Sequence, residues 1–433
     1  MRRHSGLSGI LALSLVALVA ACGGRDSLFF EAALEAGGAG NHAGSVSVIA
    51  GAGTLSDGGA GNVAGQSHGG AAAHGGVPGA GGSQGGAASR GGAPGAGGST
   101  GGASTAGSGG QGGMACPGGT ELCQGACIDT RSDAHDCGAC GHDCGGGACV
   151  ASACQPVVLA THRDSPCGIA VDASYVYFTA GGNVERVAID GGPTTTLASG
   201  QFGACGVTVD AARVYWVNLV FSGQVMSAPL AGGAAETLAD KQNYPFNIVV
   251  HDGLLYWTNS GNDTNGAGVM RMSVSGGPVT ALAKNQAHPV GLTVGSGSLF
   301  WTSTAGGAIR TLPLAGGNVT TLATGQGDPL AISVVGTAIY WTTDGTGQVV
   351  KLERGGGTPV VLATGSNPAG IVADERNVYF TDSMGLIERL PVTGGEPSVL
   401  ARTQLGAWAM AMDARNVYWI NDSVDGSVVK LAK

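Results

Sequence analysis

The sequence is poor in charged side chains, which make up 11% of its 433 residues, against about 25% in an ordinary globular protein. From residue 155 onward, 15 lysine and arginine residues stand against 20 aspartate and glutamate residues, a net charge of −5. Proteins that bind nucleic acid without regard to sequence need a cationic surface. The composition therefore argues against a nucleic-acid partner.

From residue 155 onward, the sequence also lacks the motifs of several common catalytic sites. It contains no GxSxG nucleophile motif, no HExxH zinc motif and no phosphate-binding glycine loop. Its three histidines in this range are His162, His251 and His288, and their spacing supports no hydrolytic triad. We therefore expect no cofactor, and a binding role is favoured over catalysis.

The amino terminus has a charged start and then an apolar stretch that ends in small residues, "LSGILALSLVALVAAC". This pattern predicts a secretory signal peptide over residues 1–21, because the stretch is too short to span a bilayer. Its last four residues, Val19 to Cys22, resemble the bacterial lipobox. The resemblance implies acylation of Cys22, and Gly23 in place of aspartate implies sorting to the outer membrane. An ordinary secreted protein is the alternative.

Residues 22–113 are predicted to form a flexible tether. Within them, residues 36–113 are almost all glycine, alanine, serine and similar small residues, with Asp57 and Arg90 the charged side chains apart from histidines. Such a segment has too little apolar surface to offset the entropy of ordering it. We therefore expect a lipid-anchored spacer at the cell outer membrane, facing either the periplasm or the exterior.

Residues 114–154 are predicted to form a small module that is rich in cysteine and poor in apolar side chains. In an exported segment this composition indicates disulfides, although eight cysteines allow on the order of 100 pairings. The core "CGACGHDC" resembles the cysteine-rich repeats of plant stigma-specific proteins and of exported myxobacterial proteins. A zinc site that uses the spacing of Cys137 and Cys140 is the alternative. The cysteines are Cys116, Cys123, Cys127, Cys137, Cys140, Cys144, Cys149 and Cys154.

From residue 168 the sequence repeats every 38 to 44 residues. Each copy has a short strand-like run, an aromatic pair, a turn rich in glycine, asparagine and aspartate, and a further apolar run. In all but the last copy a glycine pair and a fourth run follow. Four short strands at this period predict the blades of a β-propeller, seven blades over residues 155–433. The aromatic pairs are Tyr177-Phe178, Tyr215-Trp216, Tyr256-Trp257, Phe300-Trp301, Tyr340-Trp341, Tyr379-Phe380 and Tyr418-Trp419.

Alternation within "AIYWT" places Ile339 and Trp341 on one face of the strand and Tyr340 and Thr342 on the other. Both faces carry bulky side chains, and a ring of stacked sheets covers both. The last copy lacks a fourth strand, while the run "PVVLAT" at 156–161 is identical to the run at 359–364. We therefore predict an all-β fold in which the amino-terminal strand completes the last blade and removes two open edges.

The motif "YWT" followed by an acidic or amide residue resembles the YWTD repeats of low-density-lipoprotein-receptor-type propellers. "FTD" at Phe380–Asp382 and "WIN" at Trp419–Asn421 follow the pattern, whereas Ala180, Ser303 and Thr343 depart from it. That family usually has six blades, whereas seven copies are counted here. The resemblance implies a propeller fold and leaves function open, because propellers serve many functions.

Candidate ligand-binding residues occupy the loops that lead from the outer strand of one blade to the inner strand of the next. Four consecutive blades offer Tyr244, His288, Asp328 and Asn367 at one aligned position. Polar groups that converge at a concave mouth are typical of a ligand site. The alternative is turn geometry before a recurring proline. The full ring is Ser165, Gly203, Tyr244, His288, Asp328, Asn367 and Gly406.

Two residues further along, a mostly apolar ring is expected to plug the channel. Cys167 and Cys205 take the same register on adjacent inner strands, so we predict a disulfide between them, with free thiols or a metal site completed by His288 as alternatives. Loops 261–268 and 421–427 are rich in oxygen ligands that calcium could use, but turns favour the same residues. The plug residues are Cys167, Cys205, Phe246, Val290, Leu330, Ala369 and Trp408.

The sequence thus favours a membrane-tethered binding protein, expected to be a monomer, whose propeller face recognises a protein, a glycan or a small molecule. The alternative is a propeller enzyme, such as a lyase or a lactonase, with His288 as base and Asp328 as its orienting partner. Such enzymes usually gather several charged groups or a metal at the channel mouth. The scarcity of charge at this mouth favours binding.

Overall fold

The computed structural model of the protein describes residues 116–261, 266–365 and 367–433. All regular structure in these ranges is β. None of the described residues belongs to a helix that is long and apolar enough to cross a membrane. The predicted signal peptide, the acylation site Cys22 and the tether lie outside the described residues.

Two small hairpins form the cysteine-rich module, and a single strand follows them. The strands are β1 (Glu121–Cys123), β2 (Ala126–Ile128), β3 (Cys149–Val150), β4 (Ala153–Cys154) and β5 (Val157–Arg163). The disulfide-rich character predicted for this module is confirmed. Its four bridges pair Cys116 with Cys127, Cys123 with Cys140, Cys137 with Cys149 and Cys144 with Cys154.

Seven four-stranded antiparallel sheets follow, which confirms the predicted number of blades. We number the blades along the chain by their inner strands. Blade 1 contains β6 (Ile169–Val171), β7 (Tyr175–Ala180), β8 (Asn183–Ala188) and β9 (Thr195–Ala198). Blade 2 contains β10 (Ala204–Val209), β11 (Arg213–Asn218), β12 (Gly223–Pro229) and β13 (Glu236–Gln242). Blade 3 contains β14 (Pro245–His251), β15 (Leu254–Asn259), β16 (Gly268–Ser273) and β17 (Thr280–Lys284).

The remaining blades repeat this order of strands. Blade 4 contains β18 (Pro289–Gly295), β19 (Ser298–Ser303), β20 (Ala308–Pro313) and β21 (Thr320–Ala323). Blade 5 contains β22 (Pro329–Val335), β23 (Ala338–Thr343), β24 (Gln348–Glu353) and β25 (Val360–Thr364). Blade 6 contains β26 (Ile371–Ala373), β27 (Asn377–Asp382), β28 (Leu386–Pro391) and β29 (Ser398–Ala401). Blade 7 contains β30 (Ala407–Met412), β31 (Asn416–Asn421) and β32 (Gly426–Ala432).

The fourth strand of blade 7 is β5, from the other end of the propeller sequence. It lies antiparallel to β32, with Ala160 opposite Val428 and Val157 opposite Lys430. The predicted closure of the ring is therefore confirmed. Arg163, at the end of β5, reaches into blade 1, where its guanidinium lies 3.4 Å from a carboxylate oxygen of the buried Glu185. The ring is therefore closed by backbone pairing between β5 and β32 and by an ion pair from β5 to blade 1.

The second strand of each blade buries both of its faces, as its sequence predicts. In β23, Ile339 and Trp341 pack into a cluster that contains Phe300 of blade 4. Tyr340 packs on the other side, in a cluster that contains Phe380 of blade 6. Neighbouring blades therefore supply the two apolar surfaces that a single sheet lacks.

A threonine in the second strand links each of five blades to the next. The hydroxyl of Thr342 donates a hydrogen bond to the Ala369 carbonyl of blade 6 (2.7 Å) and accepts one from the Ala331 amide of its own blade (3.2 Å). Thr179, Thr258, Thr302 and Thr381 make the same pair of bonds. In these blades a hydroxyl therefore contributes to the inter-blade joint.

The cysteine-rich module packs against blade 7. Its disulfides Cys137–Cys149 and Cys144–Cys154 share an apolar cluster with Trp419 and Leu431. The two ring nitrogens of His142 lie 2.6 Å from the Cys137 carbonyl and 2.9 Å from the Lys433 carbonyl. The module therefore covers part of the blade that closes the ring.

Candidate functional site

The loops from each outer strand to the next inner strand lie at one face of the ring, which we call the mouth. The seven aligned residues of these loops, which we call the ring positions, all have a positive φ, between 44° and 77°. Glycine, asparagine, aspartate and histidine tolerate this backbone best, whereas it is uncommon for a bulky residue such as tyrosine. Turn geometry thus accounts for part of the pattern, and Tyr244 is the residue that it does not explain. The ring positions are Ser165, Gly203, Tyr244, His288, Asp328, Asn367 and Gly406.

A recurring hydrogen bond fixes the ring positions to the turns between second and third strands. The carbonyl of Tyr244 accepts a bond from the amide of Ser260 (2.9 Å), and the carbonyl of His288 accepts one from Thr304 (3.1 Å). Gly203, Asp328 and Gly406 make the equivalent bond to Leu219, Asp344 and Asp422. Each of these blades therefore presents two loops that are tied together, which favours a preorganised surface.

In four blades, a glutamine two residues before the ring position supports the loop by accepting a hydrogen bond from a buried tryptophan. The indole nitrogen of Trp257 donates a hydrogen bond to the side-chain oxygen of Gln242 (3.1 Å), and Trp419 donates in the same way to Gln404 (3.1 Å). Trp216 and Trp301 bond Gln201 and Gln286. The two blades with phenylalanine in place of tryptophan, at Phe178 and Phe380, have Arg163 and Gly365 at the glutamine position. The tryptophan and the glutamine thus occur together.

The polar candidates predicted from sequence lie at equivalent ring positions on blades 3 to 6. Tyr244 is partly exposed, and its ring centroid lies 6.1 Å from that of Phe221 on the neighbouring blade. Nδ1 of His288 lies 2.7 Å from the hydroxyl of Thr304, within its own blade. The imidazole is therefore held at Nδ1 by Thr304, and the orientation of His288 by Asp328 that the enzyme hypothesis requires stays a prediction.

Below the ring positions the structure joins Cys167 and Cys205 in a disulfide, with their Cα atoms 4.8 Å apart. The bridge ties blade 1 to the inner strand of blade 2. Among the plug residues, Val290 and Ala369 are buried. These two positions of the predicted apolar ring are therefore shielded from solvent.

Sequence reasoning missed a set of exposed apolar side chains at the mouth. The five most exposed large apolar side chains of the described residues all lie there, and four of them form two equivalent pairs on blades 2 and 7. Phe202 (76% exposed) and Leu405 (71%) precede the ring position, and Phe221 (70%) and Val424 (79%) occupy the turn after the second strand. The fifth is Met384, in the corresponding turn of blade 6.

A sequence signal for these pairs exists. Blades 2 and 7 share "QFGA" and "QLGA" before the inner strand, and "DAARVYWVN" and "DARNVYWIN" around the aromatic pair. Blade 1 lies between them in the ring and has the shortest turn, Gly181 and Gly182 alone. We call this region, with its two flanking apolar pairs, the saddle. Its residues are Gly181, Gly182, Phe202, Phe221, Leu405 and Val424.

Carboxylates lie beside the saddle. A Cβ placed on Gly181 would lie 3.2 Å from the Cβ of Asp164. Burial raises the pKa of Asp422 to about 6, with a further contribution from the negative charge of Asp164. Oδ1 of Asp422 is buried without a hydrogen-bond partner among the described residues. Two acidic side chains therefore lie beside the saddle, and the described residues supply no hydrogen bond to Oδ1 of Asp422.

The described residues contain two groups of three or more histidine, cysteine, aspartate or glutamate side chains close enough to share a metal ion, and neither group includes a residue of the oxygen-rich loops. Every described group of three or more potential metal ligands contains cysteines that form disulfides. The same bonding leaves no thiolate at Cys137 and Cys140 for the zinc alternative. Part of loop 261–268 lies outside the described residues.

Comparison with known proteins identifies the fold. No family model and no curated protein matches the chain. Virginiamycin B lyase from Staphylococcus aureus is 18% identical over 64% of this chain and 98% of its own, with a TM-score of 0.55. The WD40 propeller domain of Doa1 is 14% identical over 64% and 96%, with a TM-score of 0.53. A nidogen/laminin complex is 20% identical over 51% and 90%, but its TM-score of 0.42 carries no argument. At these identities the chain is similar to the first two in fold, that of a β-propeller.

Proposed function

We propose that this chain is a binding protein whose propeller mouth recognises a ligand without transforming it. The observation that carries the proposal is the concentration at the mouth of the most exposed apolar side chains, such as Phe202 and Leu405. Exposed apolar groups on one face commonly mark an interaction site. The loops that present them are tied to neighbouring turns, so little conformational entropy is lost when a ligand binds.

A propeller enzyme of the lyase or lactonase type is the second candidate. The fold similarity to virginiamycin B lyase favours it, although 18% identity supports the fold alone. A base needs a positioned imidazole, and Thr304 holds Nδ1 of His288 at 2.7 Å. Conversion of a bound compound into a product by the wild-type chain, lost on His288→Ala, would establish this candidate and overturn the binding proposal.

The proposed site of action is the outer membrane, reached through acylation of Cys22 and a flexible tether. The support is the lipobox-like sequence and the glycine-rich composition of residues 36–113. In a Gram-negative host, Cys22→Ala should release the protein from the membrane fraction, whereas Ser27→Ala should leave it there. Membrane retention of the Cys22→Ala protein would contradict the anchor.

The binding proposal is tested with the full chain carrying Cys22→Ala, immobilised and screened against peptide, glycan and metabolite libraries. Binding that weakens about tenfold in the double variant Phe202→Ser, Leu405→Ser is the expected result. Val360→Ser is the matched control, because Val360 is 55% exposed on an outer strand of blade 5. Ligands that bind both variants with unchanged affinity would place recognition away from the mouth.

A further inference from the structure

We propose that the saddle binds an extended polypeptide segment that combines basic and apolar side chains. The proposal rests on the mouth being a binding surface and names the part of it that binds and the chemistry of the partner. The two apolar pairs lie on blades 2 and 7, which flank the glycine turn of blade 1. A ligand that contacts both pairs by the shorter way around the ring crosses blade 1.

The turn of blade 1 leaves room for such a ligand. Two residues, Gly181 and Gly182, connect β7 to β8, whereas three to eight residues form this turn in the other six blades. Neither glycine carries a side chain that could block the path between the apolar pairs. The two pairs thus border a low surface on which a backbone can approach closely.

The charges beside this surface select the partner. Asp164 lies next to Gly181, and Asp422 has a buried oxygen without a described partner. The neighbouring cation, Arg163, is already engaged, because its guanidinium bonds Thr194 (2.9 Å) and lies 3.4 Å from Glu185. A lysine or arginine from a ligand would complement these carboxylates, whereas a phosphate or sulfate would be repelled.

The same charge pattern extends around the mouth. The ring position, the residue before it and the turn residue sixteen positions further on give three positions in each blade. Over the seven blades these positions include Asp164, Asp328, Asp344 and Asp422, whereas the nearest lysine and arginine residues, Arg163, Lys241, Lys284 and Arg402, lie two to four residues before the ring position. The apolar stretch "LFFEAALEA" near the amino terminus of this chain carries Glu31 and Glu35, so charge disfavours it as the occupant.

A peptide of alternating basic and apolar residues places basic side chains on one face and apolar ones on the other when it is extended. The apolar side chains would pack against Phe202, Phe221, Leu405 and Val424, and the basic ones would reach the carboxylates. Apolar contact and charge are both required in this arrangement. Peptides that supply only apolar side chains or only basic side chains therefore serve as the controls.

The test measures fluorescence anisotropy of labelled twelve-residue peptides with the full chain carrying Cys22→Ala. An alternating leucine and lysine peptide should bind at least about tenfold tighter than the leucine and glutamate or the serine and lysine peptide. Asp164→Asn with Asp422→Asn should weaken its binding about tenfold, as should Phe202→Ser with Leu405→Ser. Val360→Ser and Asp252→Asn, both at exposed positions outside the mouth loops, should leave it unchanged, and melting temperatures should verify that every variant is folded.

The outcomes separate this inference from the proposed function. Equal binding of the three peptides would overturn the inference, as would an affinity that the saddle variants leave unchanged. If Tyr244→Ala and Asp328→Asn weaken binding instead, the mouth remains the binding surface and the saddle assignment fails. If none of the peptides binds, the partner chemistry is wrong, and the library screen alone decides whether the mouth binds any ligand.

Discussion

The propeller contains two kinds of blade, and they differ in how they join their neighbours. Blades 1, 3, 4, 5 and 6 use a threonine hydroxyl to bond the next inner strand, whereas blades 2 and 7 have Val217 and Ile420 at that register. At those two joints the ring residue of the next blade bonds the turn instead. The amide of Tyr244 donates to the Val220 carbonyl (3.2 Å), and that of Ser165 donates to the Ser423 carbonyl (2.8 Å).

This difference indicates that the blades divide two roles, because some of them hold the ring together and the others present exposed side chains at the mouth. The threonine blades hold the ring together through buried hydrogen bonds. Blades 2 and 7 make the joint through their surface turns, and the same turns carry the exposed Phe221 and Val424. Recognition is therefore expected where the repeat departs from its commonest form.

Opening the ring should have the largest effect on the stability of the propeller. Deleting residues 155–161 removes most of β5 and exposes the third strand of blade 7, so the joint between blades 7 and 1 is lost. We expect the melting temperature to fall by at least roughly 10 °C, because several buried backbone bonds and apolar contacts disappear. Calorimetry of the full chain is the measurement, with deletion of residues 60–66 in the predicted tether as the control. An unchanged melting curve would mean that β5 does not close the ring.

Removing one hydroxyl joint should have an intermediate effect. Thr342→Val keeps the shape of the side chain but leaves the Ala369 carbonyl and the Ala331 amide without their buried partner. Leaving such groups unsatisfied costs about 1–3 kcal/mol of unfolding free energy. Urea unfolding measures the change, and Thr320→Val on the exposed strand β21 is the control, expected within about 0.5 kcal/mol of wild type. Equal effects of the two substitutions would rule out a stabilising role for the hydroxyl joint.

The carboxylate beside the saddle should show the smallest effect on stability, visible through its pH dependence. The folded-state pKa of Asp422, about 6, lies above its ordinary value of 3.8, because burial disfavours the charged form and Asp164 repels it. Its stabilising contribution is complete below pH 3.8 and is lost as the pH rises through about 6.

The matched variant Asp422→Asn tests that sign. It should be more stable than wild type at pH 7, and the gain should shrink as the pH falls from about 6 to about 4. Melting temperatures across this range measure the gain, with Asp240→Asn at an exposed position of β13 as the control. A gain that stays constant with pH would show that Asp422 does not titrate there.

Much of the fold was predictable from the sequence, because a propeller repeats one pattern. The period of the aromatic pairs gave the number of blades, the alternation around Trp341 gave the two buried faces, and the identical "PVVLAT" runs gave the closure. Each of these features depends on residues that are close in sequence or recur at a fixed period. The ring positions were aligned by the same logic.

The rest was hidden because it depends on neighbours in space. The bond between Trp257 and Gln242 joins side chains of different blades, and the hydroxyl of Thr342 meets a carbonyl 27 residues away. The pairing of eight cysteines and the packing of their module on Trp419 leave no periodic signal. The positive φ of Tyr244 follows from loop geometry, which residue types alone do not fix.

Amide hydrogen exchange of the full chain with and without the alternating leucine and lysine peptide tests most directly whether recognition lies on blades 7, 1 and 2. We predict slower exchange at residues 181–182, 202–203 and 405–406 in the presence of the peptide, with His288 and Asp328 unchanged. Protection centred on His288 and Asp328, with none at the saddle, would contradict the division of the ring into joining and recognising blades.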